Sequence, residues 1–218
     1  MIIAIDGPSG SGKSTLGRML ARALNLLYLD TGSMYRAVAL AVIEAGIVPC
    51  DSEAVVALAS KIDIDLKGDP DSLKVLLDGR DVTEEIRSEH VTEMSSIVST
   101  IPGVRRAMVA RQRALGQRGA LLNGRDIGTV VFPDADIKFF LTAAPAERAE
   151  RRFKEDRATN SNASFEQTMT EMIERDRRDS TRADSPLKAA GDAIVIDSSG
   201  LSIEQVFQRM MEHVHRHH

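Results

Sequence analysis

One cysteine, two tyrosines and no tryptophan are all that 218 residues offer of three chemically distinctive side chains. A single thiol, Cys50, can close no internal disulfide and can build no cysteine-based zinc site. With only six phenylalanines besides, little is left for an open platform on which bases could stack. Long apolar runs are missing as well. The longest covers residues 37–43, far below the roughly 18 residues a membrane-spanning helix requires, so no membrane partner is expected. The opening MIIAIDGPSG carries no basic leader and no cleavage site, which reads as no signal peptide and a cytoplasmic location. There is no basic excess either: the net charge of −4 weighs against a general nucleic-acid binder. Lysine is scarce. Of 28 basic residues 21 are arginine, and 14 of those lie between Arg105 and Arg182. Codon choice in a GC-rich genome accounts for arginine over lysine but not for the clustering. Arginine presents a rigid fork that meets phosphate with two parallel hydrogen bonds.

What is present begins with GPSGSGKST, residues 7–15, in which Gly7, Gly12, Lys13 and Ser14 fill the phosphate-loop pattern. The flanks agree with it. IIAID before it is a β-branched run suited to a buried parallel strand. After it, Leu16, Met19, Leu20, Ala23 and Leu24 recur as one apolar helical stripe. Strand, glycine loop and helix together let the loop Gly7, Pro8, Ser9, Gly10, Ser11, Gly12, Lys13, Ser14 and Thr15 wrap a polyphosphate at a helix amino terminus, every residue but the proline offering a backbone N–H. Lys13 would neutralise the outer phosphates of a nucleoside triphosphate, and Ser14 would ligate Mg²⁺.

The pattern then alternates. Strands are predicted at 26–30, 120–124, 136–143 and 192–197, with helices over about 33–45 and 102–117 and after each later strand. The expected fold is therefore α/β: a parallel five-stranded sheet with helices on both faces, three layers in all, and ligands at the carboxyl ends of the strands. Residues 62–82 read instead as short antiparallel strands with GDPD and DG turns. Together with helical segments over 84–99 they suggest a lobe inserted at about 58–100 within a single domain spanning 1–218. The polar RATNSNAS, residues 157–164, marks a candidate lid at about 148–165. The tail HVHRHH could bind metal, although an ordinary helix end is the simpler reading. No internal repeat and no heptad seam occur, and nothing demands an oligomer, so a monomer is expected.

ERDRRDSTR, residues 174–182, holds four arginines and three acids in nine positions. Arg175, Asp179 and Arg182 share one helical face, with Ser185-Pro186 expected to close the helix. Two guanidinium groups flanking a carboxylate could hold a phosphate and a sugar hydroxyl. An i,i+4 ion-pair ladder on the surface is the plainer alternative, and local composition taken alone favours it.

The segments DTGSMYR, NGRDIGTVVFPDADIKFFL, AERAERR and RDRRDSTRADSPLKAAGDAIVID, in this order and spacing, resemble the bacterial cytidylate kinases across essentially the whole chain. The resemblance implies transfer of the γ-phosphoryl group of ATP to CMP or dCMP, with Mg²⁺ as cofactor. It implies that Arg36, Arg125 and Arg182 hold the acceptor phosphate, that Arg175 and Asp179 hold the sugar with Tyr35 and Thr31 beside them, and that Ser96, Arg105 and Asp126 read the base. Arg148, Arg151 and Arg152 enter the expected lid; Arg151 and Arg152 are the pair expected to close over the transferred group. One departure stands out: many relatives have an acid two positions before the Arg of GRD, where this chain has Asn123. Asp30 is the alternative helper of the metal. Rival readings are a kinase of UMP, AMP or a small metabolite, and a nucleotide-binding module without turnover.

Overall fold

The computed structural model describes residues 1–158 and 164–217. Five parallel strands form its central sheet: β1 (Ile2–Asp6), β2 (Leu27–Asp30), β6 (Ala120–Gly124), β7 (Ile137–Thr142) and β8 (Ile194–Asp197), in the spatial order β2-β6-β1-β7-β8. A second sheet is antiparallel and has three short strands, β3 (Ile64–Lys67), β4 (Lys74–Leu77) and β5 (Arg80–Asp81). The helices are α1 (Lys13–Ala23), α2 (Thr31–Glu44), α3 (Ser52–Lys61), α4 (Glu89–Val98), α5 (Pro102–Gly116), α6 (Pro145–Ala158), α7 (Phe165–Thr181) and α8 (Ile203–Arg216).

Strand periodicity builds the layers. Successive side chains of a strand leave on opposite faces, so Ile3 and Ile5 of β1, Leu121 of β6 and Ile137, Phe139 and Leu141 of β7 enter one core with Leu16 and Leu20 of α1 and Val206 and Met210 of α8. Their alternates Ala4, Leu29, Ala120 and Leu122 enter the other, with Met34, Val38 and Val42 of α2 and Val104 and Met108 of α5. The same second core continues into Ile64, Leu66, Val75 and Leu77 of the small sheet, which ties that sheet to α2. The strand β1 is central because it pairs in register with both β6 and β7, Asp6 lying opposite Gly124 and Phe140.

Two expectations about helices need correction or completion. The helix α7 ends at Thr181, four residues before Ser185-Pro186. Arg182 is extended, its Nε donates to the Ser185 carbonyl at 2.7 Å, and Leu187 N–H donates back to the Asp179 carbonyl at 2.7 Å, so the chain folds over its own last turn. For the inserted lobe, a boundary at residue 58 falls inside α3, which is capped by the Asp51 side chain. The stretch expected as a lid runs through most of α6, and residues 159–163 of it lie outside the described residues. Beyond it, Ser164 and Gln167 cap α7 reciprocally, and Phe153 meets Phe165 edge to face at 5.9 Å, which joins α6 to α7. Among the described residues no helix is long and apolar enough to cross a membrane.

Candidate active site

A cleft of about 980 Å³ opens at the carboxyl ends of β1, β2 and β6. At one end lies the glycine loop between β1 and α1. Ser11 Oγ donates to the Pro8 carbonyl at 3.0 Å, and Lys13 Nζ donates to the same carbonyl at 2.5 Å and to Ser11 Oγ at 3.3 Å. Lys13 is buried, and burial pushes its ammonium well below the ordinary lysine range; Arg125 adds to the shift. The loop is also held from outside. Ser9 N–H donates to Asp176 of α7 at 3.1 Å, and Arg148 of α6 donates to the Ser9 carbonyl at 2.9 Å while pairing with Asp176.

Gly10 shows why the loop tolerates no side chain. Its φ is +69°, and an added Cβ would lie 2.5 Å from the Arg148 carbonyl oxygen. We expect Gly10→Ala to weaken ATP binding by about tenfold or more, because backbone strain of about 1–3 kcal/mol falls on the phosphate loop itself. Calorimetric titration with ATP checks this; an unchanged Kd would mean that the loop relaxes without cost.

At the other end Arg105 and Asp126 form a buried ion pair. Arg105 Nη1 also donates to the Ser99 carbonyl at 3.2 Å, and its guanidinium sits 5.5 Å from the centre of the Tyr35 ring. Burial pushes the Tyr35 hydroxyl up to about 12, and that hydroxyl has no partner among the described residues. Between the two ends stand the arginines. Arg36 pairs with Asp30 at 3.4 Å, Arg125 with Asp179 at 2.8 Å, and Arg182 lies 3.4 Å from Asp179 and 3.9 Å from Asp126. Burial works to raise the Asp179 carboxyl, but Arg125, Arg175 and Arg182 together hold it below the usual carboxylate range. Burial, reinforced by Arg125, lowers Arg175 to about 10, which leaves it charged at neutral pH.

Several polar atoms in and around this wall are buried with no hydrogen-bond partner among the described residues: Arg36 Nε, Arg105 Nε, Arg182 Nη2, Ser96 Oγ and Asn123 Oδ1. Unpaired polar atoms in such number are costly in an ordinary core, and a polar ligand would satisfy those that face the cleft. Lys13, Ser14, Thr15, Thr31, Tyr35, Arg36, Arg105, Arg125, Asp126, Arg152, Arg175, Asp179 and Arg182 all border the same cleft. Ser96 does not border the cleft; Ser95 and Ser99 of the same helical stretch border it instead. Of the α6 arginines, Arg152 borders the cleft and pairs with Asp156 at 2.9 Å. Arg151 donates twice to Ser198, at 2.9 Å each, and Arg148 is bound to the glycine loop. Asp30 is committed to α2: one oxygen caps Gly32 N–H at 3.0 Å, the other meets Arg36. Reading the sequence by motif did not single out Asp176 or Arg18, which also borders the cleft. The acid alternating with arginine in ERDRRD, and a basic residue one turn into α1, were the available signals.

The family model for cytidylate kinase matches residues 3–216. A cytidylate kinase of Pelotomaculum thermopropionicum is 49% identical over 97% of this chain and 95% of its own length. One from Corynebacterium efficiens is 48% identical over 97% and 93%. Among solved structures, a shikimate kinase from Bacteroides thetaiotaomicron superposes with a TM-score of 0.50 at 13% identity, covering 99% of this chain and 98% of that one, a likeness of fold alone. A phosphate loop and a cleft lined with arginine thus sit in a P-loop kinase fold, and over nearly its whole length the chain belongs to the cytidylate kinase family.

Proposed function

We propose that this kinase transfers the γ-phosphoryl group of ATP to CMP or dCMP, giving ADP and CDP or dCDP. The observation that carries this reading is the buried Arg105–Asp126 pair, which closes the end of the cleft away from the glycine loop. Cytosine presents an amino donor beside two acceptors. A carboxylate accepts from the first and a guanidinium donates to the others. Uracil reverses part of this pattern and would leave buried groups unpaired, which is a strong form of discrimination. The wall between base and glycine loop is suited to an acceptor phosphate, with Arg36, Arg125 and Arg182 converging there, and Asp179 with Arg175 is placed for the sugar.

The attacking group is a phosphate oxygen already ionised at neutral pH, so no general base is required. The protein's task is to bring two anions into line and neutralise them. Lys13 serves the ATP side, and Arg36, Arg125 and Arg182 serve the acceptor side. Arg152 is placed to reach the transferred group after leaving Asp156, whereas Arg151 would first have to leave Ser198. Residues about 58–100 would form the acceptor-side lobe, and residues about 148–165 the lid that excludes water.

The residues present fit Mg²⁺. Ser14 is exposed at the glycine loop, and Asn123, whose Nδ2 donates to Ser14 Oγ at 3.2 Å, keeps a buried Oδ1 with no partner among the described residues. No cluster of three acidic, histidine or cysteine side chains occurs among those residues, which suits an ion held chiefly by triphosphate and water. Ser14 would hold it directly and Asn123 through a water; when bound, it supplies positive charge to the terminal phosphates.

The test is coupled ADP release with Mg-ATP against CMP, dCMP, UMP, AMP, GMP and shikimate at matched concentrations. We expect the highest kcat/KM for CMP and dCMP. Turnover led by another acceptor would keep the kinase and remove the assigned base contacts; ATP binding without release would replace turnover by binding alone.

A further inference from the structure

We infer that Asp6 is the positioning residue that fixes Arg125 and Asp126, and with them the acceptor end of the cleft. Asp6 ends β1, immediately before the glycine loop, and no step described above uses it. Its Oδ1 accepts from Ile127 N–H and its Oδ2 from Gly128 N–H, each at 2.8 Å. These are the first two amides after Arg125-Asp126, at the start of the wide turn Ile127–Val131. The turn's own bonds run from Val130, Val131 and Phe132 back to Asp126 and Ile127, so the leading N–H groups have no partner inside it. One carboxylate therefore grips the chain where the sheet strand β6 hands over to the loop that carries both arginine and aspartate.

The packing around this grip is tight. A Cβ on Gly128 would lie 3.1 Å from the Lys138 side chain and 3.5 Å from Asp6 Oδ2. Asp6 is 4% exposed, and burial raises its carboxyl to about 6 in spite of the two backbone donors. Asp126 pushes in the same direction and Lys13 in the other. The two charges that face Asp6 thus belong to the two ends of the cleft. A buried carboxylate whose oxygens are both spent on backbone amides is placed to hold, not to react.

The inference takes its substrate, though not its geometry, from the cytidylate reading. Asp6→Asn retains one acceptor and turns an amide donor against the second backbone N–H. We expect the KM for CMP to rise by about tenfold or more, with the KM for ATP within about twofold, and the CMP-to-UMP ratio of kcat/KM to fall by about tenfold. Hydrogen exchange supplies a readout free of substrate: the Ile127 and Gly128 amides should lose protection while Ala4 in β1 keeps its own. Equal increases in both KM values, or protection lost along β1 as well, would make Asp6 a residue of the fold at large and overturn the inference. Should D6N fail to fold, Asp6→Ser, which keeps a single oxygen, carries the same comparison. If the unaltered enzyme prefers another acceptor, the cytidylate reading fails and the KM split is judged on that acceptor. If CMP is preferred but neither the split nor the exchange appears, the clamp fails and the cytidylate reading stands.

Discussion

Replacing Arg105 with methionine is expected to lower the stability of the protein by about 3–5 kcal/mol and to remove most of the preference for CMP over UMP. Arg105 is 2% exposed and pairs with Asp126, which is equally shielded from water. The methionine fills the stem of the arginine but strands the Asp126 carboxylate. Arg182, 3.9 Å away, is the other cation paired with it among the described residues, and it is already shared with Asp179. A buried charge without a close partner costs far more than the intact pair contributes. The double variant Arg105→Met/Asp126→Leu separates the two effects. It should recover much of the stability, since an apolar pair can replace a buried ion pair, while its turnover of CMP stays low because both base contacts are gone. Denaturant unfolding and kcat/KM for the two pyrimidine nucleotides make the comparison. An R105M enzyme that unfolds like the parent, or that keeps its CMP-to-UMP ratio, would sink the assigned role of this pair.

Lys13→Met is expected to lower turnover by about a thousandfold or more, on the scale of removing a charge-stabilising donor from a catalytic site, and yet to leave stability unchanged or higher. The sign follows from burial. A lysine whose folded pKa lies well below its unfolded value disfavours the charged form in the folded state. At neutral pH the unfolded chain binds that proton more tightly than the folded one, so the lysine costs stability there, and the cost fades as pH rises from the folded pKa toward the unfolded one and is gone above it. Methionine has no such cost. Single-turnover rates, melting temperature and the calorimetric Kd for CMP together check this. Turnover within about tenfold of the parent would remove Lys13 from phosphoryl transfer, and a large loss of stability would show that its bonds to Pro8 and Ser11 hold the loop together.

The strands IIAID and ALLNG were legible to the residue, because a short β-branched or leucine run between turn signals has few other solutions. The glycine loop was equally plain. Less legible were features set by contacts distant in sequence. Nothing near Asp30 distinguishes a metal helper from a helix cap, and the structure spends both its oxygens on α2 and Arg36. The end of α7 was placed too late because proline is a local stop signal, while the real stop is the Arg182 side chain reaching the Ser185 carbonyl. Arg148 and Arg151 look alike in AERAERR, but their helix turns one toward the glycine loop and the other toward Ser198. Ser95 and Ser96 are adjacent and both buried, and only the helix phase puts the first on the cleft wall.

The ion pairs along the cleft have a consequence beyond geometry. Arg36 already holds Asp30, Arg125 holds Asp179, and Arg182 stands between Asp179 and Asp126. The cleft thus carries its own counter-ions. An incoming phosphate exchanges one partner for another instead of entering a bare positive field, so the far-reaching pull that would gather any polyanion is largely cancelled inside the wall. What remains is short-ranged and directional, and it rewards an anion only when its oxygens meet the guanidinium forks in the right places. A surface so rich in arginine can in this way discriminate by shape, and respond little to the salt around it.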